Sequence, residues 1–230
     1  MNWKKIIIAV LSVFVLSVGF AQRTKHLNLP HYDEKKIHYG FHLSLNHSAF
    51  RTEHSDWFLE NDTITYLRGG GATGFGLGFL FNVRLFEFGD ARFLPTVAFY
   101  ERKIIYGIKG GGEDVVASFN SSHVNLPLLF KYKAKRRSNA RVYMVGGLNF
   151  GFEVTTKKKK KSEDQLLVKG TEFSLEYGVG VDVYQPYFKF APELRFSLGL
   201  TNLIDPTESV YSLPLDKVMS YTVTLYFMFE

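Results

Sequence analysis

The chain offers few groups of side chains whose type and spacing could support catalysis or metal binding. Its seven histidines show no metal-ligand spacing with a carboxylate partner. It has no cysteine, which excludes disulfides, thiol catalysis and cysteine-ligated metals. His42 and Ser44 share one face of a predicted strand, but a catalytic triad needs geometry that spacing alone does not supply. We therefore predict a protein without enzymatic activity, cofactor or metal.

Two runs of glycine also suggest chemistry at first sight. They are Gly69, Gly70 and Gly71, and Gly110, Gly111 and Gly112. A phosphate-binding loop would place a basic residue and a helix start directly after the glycines, and neither run is followed in this way. We interpret both runs as flexible loop tips.

The longest run of charge is basic and consists of five consecutive residues: Lys157, Lys158, Lys159, Lys160 and Lys161. Such a run can attract nucleic acid or anionic lipid. On an exported protein it would meet outer-membrane lipid and lipopolysaccharide first, so we expect no nucleic-acid partner. A solvated loop without a partner is the simpler interpretation. A second basic cluster at 135–137 lies in a predicted turn, where it could dock a periplasmic protein or stay hydrated.

Seven further charged residues lie on the polar side of alternating segments. They are Arg84, Lys131, Glu176, Asp182, Lys189, Glu193 and Arg195. A four-residue turn at 184–187 would place Asp182 opposite Lys189, and the same register would place Glu176 opposite Arg195. Because a charge removed from water needs an opposite partner, we expect a lumen filled by ion pairs. A proton or ion path is the alternative.

These side chains must be positioned by β-strands, because apolar and polar residues alternate with a period of two. The alternating segments begin near Ile37, Gly74, Arg92, Ser121, Ala140, Glu172, Phe188 and Lys217. In each segment one face is bulky and aromatic, and the other is rich in glycine, serine or charge. Eight such segments predict an all-β fold.

The connections between these segments alternate in length. Short turns at 87–90, 134–139 and 184–187 separate long polar stretches at 50–73, 108–120, 155–171 and 200–216. This asymmetry and the even strand number are typical of outer-membrane barrels. A soluble lipocalin-like barrel is the alternative, but its outer face would need more polar surface than glycine and serine supply. We predict an eight-stranded antiparallel up-and-down transmembrane β-barrel with short periplasmic turns and long extracellular loops.

The first residues have the pattern of a secretory signal peptide. Lys4 and Lys5 precede an apolar stretch at 6–20, and a small-residue exit ends at Ala21. The apolar stretch is shorter than the roughly 20 residues of a membrane-spanning helix. We predict cleavage between Ala21 and Gln22, a periplasmic N-terminal segment at 22–36 and a barrel domain at 37–230. Cleavage would lower the formal net charge from +6 to +4, because two of the 28 basic residues leave.

Three stretches resemble PorT-type barrels, called SprT in gliding relatives. They are YDEKKIHYGF at 32–41, VNLPLLFKYK at 124–133 continuing to GGLN at 146–149, and APELRFSLGL at 191–200. The resemblance implies an outer-membrane component of the type IX secretion system, needed for secretion or gliding. It implies no enzymatic activity and no agreed active site. The last residue, Glu230, departs from the aromatic ending that is common in outer-membrane barrels.

We therefore expect a non-enzymatic accessory component of type IX secretion and gliding motility, in contact with other secretion-system proteins. Eight strands leave no room for a folded client inside, so the barrel would not be the conduit. A general small barrel for envelope binding or adhesion through surface loops is the alternative. A lipid-modifying enzyme that uses His42 and Ser44 is a third hypothesis.

Overall fold

The computed structural model describes residues 27–54, 64–108, 115–154, 170–204 and 215–230. The predicted cleavage residues Ala21 and Gln22 and the lysine run at 157–161 lie outside these ranges. A short 3-10 helix, Tyr32–Glu34, comes first. The strands are β1 (Ile37–His54), β2 (Ile64–Phe86), β3 (Gly89–Phe93), β4 (Thr96–Ile108), β5 (Val115–Lys133), β6 (Ala140–Glu153), β7 (Thr171–Tyr184), β8 (Lys189–Gly199) and β9 (Leu215–Phe229).

The strands form one closed antiparallel sheet. Strand β1 pairs with β2 on one side and with β9 on the other, which joins the two ends of the sheet. Strands β3 and β4 occupy one position, because β2 and β5 each pair with both of them. The interruption lies at Leu94 and Pro95, where proline has no N–H to donate. The predicted eight-stranded antiparallel barrel is therefore confirmed.

The alternation of side chains gives this barrel an apolar outside and a polar inside. Outward-facing residues such as Tyr39 and Phe79 are 77% and 65% exposed. Inward-facing residues such as Asp182 and Arg195 are almost completely buried. This distribution is the reverse of that in a water-soluble barrel, and it is typical of a barrel surrounded by lipid.

The predicted boundaries of two long connections were wrong. The stretch at 108–120 was expected to be a loop, but β5 begins at Val115. The stretch at 50–73 was expected to be a loop, but β1 continues to His54 and β2 begins at Ile64. The run Gly69, Gly70 and Gly71 consequently lies inside β2, where it pairs with β4. At Gly69 a Cβ would overlap the carbonyl oxygen of Phe50, so the close approach of β1 explains glycine there. The other run, at 110–112, lies outside the described ranges.

One end of the barrel carries the short connections, and we call it the short-turn end. It contains the turns at 87–88, 134–139 and 185–188 and the C-terminal Glu230. Residues 27–36, which we call the N-terminal cap, lie against it. The Asn28 backbone N–H donates to Asn139 Oδ1 at 2.8 Å, and the Asn28 side chain donates to the Tyr184 carbonyl at 3.0 Å.

Across the parts of the chain that the structure describes, no helix is long and apolar enough to cross a membrane.

Candidate functional site: the ion-paired lumen

The register between β7 and β8 differs from the predicted one by two residues. Tyr184 pairs with Lys189, so Asp182 does not lie directly opposite Lys189, and Glu176 pairs with Ser197 instead of Arg195. A shift of two residues keeps every side chain on its face. The two oppositely charged pairs consequently meet diagonally. Arg195 Nη1 lies 3.0 Å from Glu176 Oε2, and Lys189 Nζ lies 3.7 Å from Asp182 Oδ1.

Asp182 is the centre of the first charged cluster. Its two carboxylate oxygens each accept a hydrogen bond from Lys131 Nζ at 2.8 Å. Arg141 Nε donates to Oδ2 at 2.9 Å, and Lys189 is the third cation. The side chains of Asp182, Lys131 and Lys189 are all buried, so these charges depend on one another for stabilisation.

Glu193 is the centre of the second cluster. Arg92 Nη1 donates to its Oε2 at 2.8 Å, and Arg195 donates to its other oxygen. The Arg195 guanidinium also lies 4.1 Å from the centroid of the Tyr226 ring. The ring of Tyr143 joins the two clusters, because Lys131 Nζ and Arg92 Cζ lie 3.7 and 5.2 Å from its centroid.

The C-terminal Glu230 completes the network at the short-turn end. Its carboxylate lies 2.8 Å from Lys189 Nζ and 3.8 Å from Arg92 Nη2. Tyr32 of the N-terminal cap donates its hydroxyl to Glu230 at 2.7 Å and stacks on His38 with ring centroids 4.1 Å apart. Burial, together with the nearby Glu230 carboxylate, raises the pKa of Tyr32. Both ends of the described chain therefore meet over one mouth of the lumen.

Arg84 lies apart from these clusters. It is half-buried beside the N-terminal cap and donates to the carbonyl oxygen of Asp33. Two further pairs lie nearby: Lys133 Nζ is 2.5 Å from Asp90, and Arg141 Nη1 is 2.9 Å from Asp33. Of the seven charged residues predicted to line the lumen, the structure places six in or beside the two clusters and Arg84 at the mouth.

A separate group of polar residues fills the lumen towards the long connections. Arg102 Nη2 lies 3.2 Å from Glu172, and its Nε donates to Ser48 Oγ at 2.8 Å. The Ser48 and Thr222 hydroxyls are 2.8 Å apart, and Ser220 donates to Glu172. Buried charges consequently occur at several levels along the barrel axis.

The sequence-based list of lumen residues was incomplete. It omitted Arg92, Arg102, Arg141, Glu172 and Glu230, all of which form the ion pairs described above. Three of these five could have been found, because Arg92, Arg141 and Glu172 alternate with the apolar residues Phe93, Val142 and Phe173. Arg102 stands between the charged residues Glu101 and Lys103, so alternation does not assign it to a face. Glu230 lies one residue beyond the last strand, so the alternation of that strand does not by itself assign it to the lumen.

His42 and Ser44 lie inside the barrel and not at its rim. Both are buried, with 1% and 4% exposure. His42 Nε2 lies 3.2 Å from Thr96 Oγ1, and the His42 ring packs edge-on against Tyr226. A lipid acyl chain on the outer surface would not reach them. No group of three or more histidine, aspartate or glutamate residues in the described ranges could hold a metal ion.

Comparison with protein families identifies the fold. Residues 20–205 match the family described as outer membrane protein beta-barrel domain, which is more than half of the chain. The chain belongs to this family. Its members are barrels of the bacterial outer membrane, which agrees with the apolar outside and charged inside of this structure.

Comparison with solved structures gives small outer-membrane barrels at low sequence identity. OprG from Pseudomonas aeruginosa has 11% identity and a TM-score of 0.43, covering 83% of this chain and 93% of its own. Neisserial surface protein A has 13% identity and a TM-score of 0.41, with 84% and 98% covered. Ail, the attachment invasion locus protein of Yersinia pestis, has 11% identity and a TM-score of 0.38, with 85% and 98% covered. Comparison with curated protein sequences gave no match.

Proposed function

We propose that this chain is a non-conducting, non-enzymatic accessory component of the type IX secretion and gliding machinery. The observation that carries the proposal is the lumen. Charged side chains with almost no exposure, such as Lys131, Asp182 and Arg195, lie across it. An eight-stranded barrel filled in this way has no space for a client protein, so its role is to support the machinery by contact.

The resemblance to PorT-type barrels supports the choice of machinery. Each of the three stretches that resemble PorT-type barrels contributes a side chain to the lumen or its mouth. Tyr32 of the first stretch contacts Glu230, Lys131 of the second contacts Asp182, and Glu193 of the third contacts Arg195 within that stretch. The stretches that carry the resemblance therefore contribute residues to the ion pairs and hydrogen bonds that fill this lumen.

We further propose that the short-turn end faces the periplasm, with the N-terminal cap and Glu230, and that the long connections face outward. Short periplasmic turns and longer extracellular loops are usual in outer-membrane barrels. In this orientation the aromatic outer surface contacts outer-membrane lipid and lipopolysaccharide. Other secretion-system proteins would bind the turns or loops.

Gene deletion in the native strain tests the proposal. We expect the deletion to abolish export of type IX cargo or gliding, and the full-length chain to restore it. Cross-linking from native outer membranes should then recover other components of the machinery. Normal export and motility after deletion would contradict the proposal. Normal export with lost surface binding would favour a role in adhesion.

A further inference from the structure

A cavity of about 320 Å³ opens at the short-turn end, between the N-terminal cap and two turns. The turns are those at 87–88 and 134–139. Five basic residues line the cavity: Arg84, Lys133, Lys135, Arg136 and Arg141. Two acidic residues, Asp33 and Glu87, also line it, so basic side chains exceed acidic ones by three. We call this cavity the basic pocket.

The positive charge of the basic pocket is not fully neutralised by the protein. Lys133 is paired with Asp90 at 2.5 Å, and Arg141 is paired with Asp33 at 2.9 Å. Within the described ranges no carboxylate lies within ion-pair distance of Arg84 or Lys135. Lys135 is exposed and Arg84 is half-buried, so both can reach a ligand from solvent.

The wall of the basic pocket is held in place before any ligand binds. Arg136 donates to the carbonyls of Asn28 and Leu29 in the N-terminal cap, the latter at 3.3 Å, and its guanidinium lies 3.6 Å from the Tyr184 ring centroid. Arg84 holds the same cap through the Asp33 carbonyl. A pre-organised site loses less conformational freedom on binding, which favours affinity.

We propose that the basic pocket binds a carboxylate-rich peptide segment of another protein. Arg84 and Lys135 would receive the carboxylates, because they have no carboxylate partner of their own. Leu27 and Phe88, which line the pocket and are 50% and 37% exposed, would pack against the aliphatic part of the bound side chains.

The position of the pocket favours a peptide over a lipid headgroup. Its basic residues Arg84, Lys133 and Arg141 lie on the inward face of their strands. The neighbouring Tyr132 and Val142 point outward and are 55% and 60% exposed. The pocket therefore opens along the barrel axis at the mouth, away from the surface that lipid covers. The inference goes beyond the proposed role in secretion and can be tested without it.

The test uses the full mature chain folded in detergent micelles and two fluorescein-labelled probes, hexaglutamate and hexaglutamine. Fluorescence anisotropy should show binding of hexaglutamate that weakens as salt rises, and much weaker binding of hexaglutamine. We expect Arg84→Gln and Lys135→Gln each to weaken hexaglutamate binding by about fivefold. Arg137→Gln is the matched control, because Arg137 is an exposed cation of the same turn that does not line the pocket.

The outcomes separate a pocket from general basic charge. The proposal is supported if Arg137→Gln weakens hexaglutamate binding by less than about twofold while the two pocket variants weaken it by about fivefold. Equal weakening by Lys135→Gln and Arg137→Gln, or no binding of hexaglutamate, would overturn it. Nanodiscs with and without phosphatidylglycerol test the lipid alternative: if the pocket variants affect lipid binding and leave hexaglutamate binding unchanged, the peptide proposal is wrong. Heat-modifiable mobility on gels verifies that each variant is folded.

Discussion

Replacement of Asp182 by asparagine should strongly destabilise the barrel. Asp182 is fully buried and contacts three cations: Lys131 at 2.8 Å, Arg141 at 2.9 Å and Lys189 at 3.7 Å. Asparagine has nearly the same shape, so packing is preserved and the lost quantity is the negative charge. The substitution leaves three buried cations around a neutral side chain.

The size of the effect follows from the partners that remain. Arg141 keeps Asp33 at 2.9 Å, and Lys189 keeps Glu230 at 2.8 Å. In the described ranges Lys131 has no second carboxylate in contact, so most of the cost falls on this fully buried ammonium group. Breaking a buried ion pair costs roughly 3–5 kcal/mol. We expect about 3 kcal/mol, or roughly a hundredfold in the folding equilibrium, because two of the three cations stay paired.

The assay is equilibrium unfolding in urea of the chain refolded in lipid vesicles, with the folded fraction read from heat-modifiable mobility. Asp216→Asn is the matched control. Its carboxylate lies 3.8 Å from Lys217, and the two side chains are 60% and 51% exposed, so we expect a change of about 0.5 kcal/mol or less. Adding Lys131→Met to Asp182→Asn removes the unpaired cation and should recover about 2 kcal/mol.

Two results would refute this reasoning. If Asp182→Asn were as stable as Asp216→Asn, water would be stabilising the lumen charges and the ion pairs would contribute little. If the double variant were less stable than Asp182→Asn alone, Lys131 would not be the source of the cost.

Three further predictions concern packing, lipid contact and conduction. Gly40→Ala should destabilise the same vesicle-refolded chain by about 1–3 kcal/mol, because the added Cβ would overlap the carbonyl of Phe229. Gly146→Ala is the control: the atom nearest to its added Cβ is 3.9 Å away, so we expect it to cost less than half as much. In urea unfolding, Phe79→Arg on the outward face should cost about 2–4 kcal/mol, and Tyr187→Arg in an exposed turn should cost about 1 kcal/mol or less. In planar bilayers the native chain should give no single-channel current steps, and regular steps would show that the lumen is open.

The face of each strand was predictable from the sequence, and the register was not. Alternation alone assigns Glu176 and Arg195 to the inside, and both lie there. Which residue stands opposite which depends on where the turn lies. The β7–β8 turn has four residues as predicted, but it spans 185–188 instead of 184–187, and this offset of one residue shifts the register by two. The diagonal contacts of long charged side chains tolerate this shift, because Arg195 reaches Glu176 across two residues.

The contacts of the N-terminal cap could not be predicted from a period of two. Asp33 and Tyr32 lie in a 3-10 helix outside the alternating segments, and their partners Arg141 and Glu230 are more than a hundred residues away in sequence. The extension of β2 through Gly69 was also hidden, because a triple glycine resembles a loop. The structure explains the glycine at position 69, because the backbone of Phe50 lies too close to leave room for a side chain there.

The closing seam of the barrel and the filling of its lumen depend on the same residues. Strand β9 pairs with β1, with Phe229 opposite Phe41, and this pairing closes the sheet. The next residue, Glu230, supplies the carboxylate for Lys189 and Arg92 and the acceptor for Tyr32. Lys189 lies on the neighbouring strand β8 and exchanges backbone hydrogen bonds with Glu230, so that pair does not depend on closure. Arg92 and Tyr32 belong to β3 and the N-terminal cap, and they reach Glu230 only across the closed barrel. The contacts of Glu230 with Arg92 and Tyr32 therefore stabilise the barrel only after the first and last strands have joined, which couples closure of the sheet to filling of the lumen.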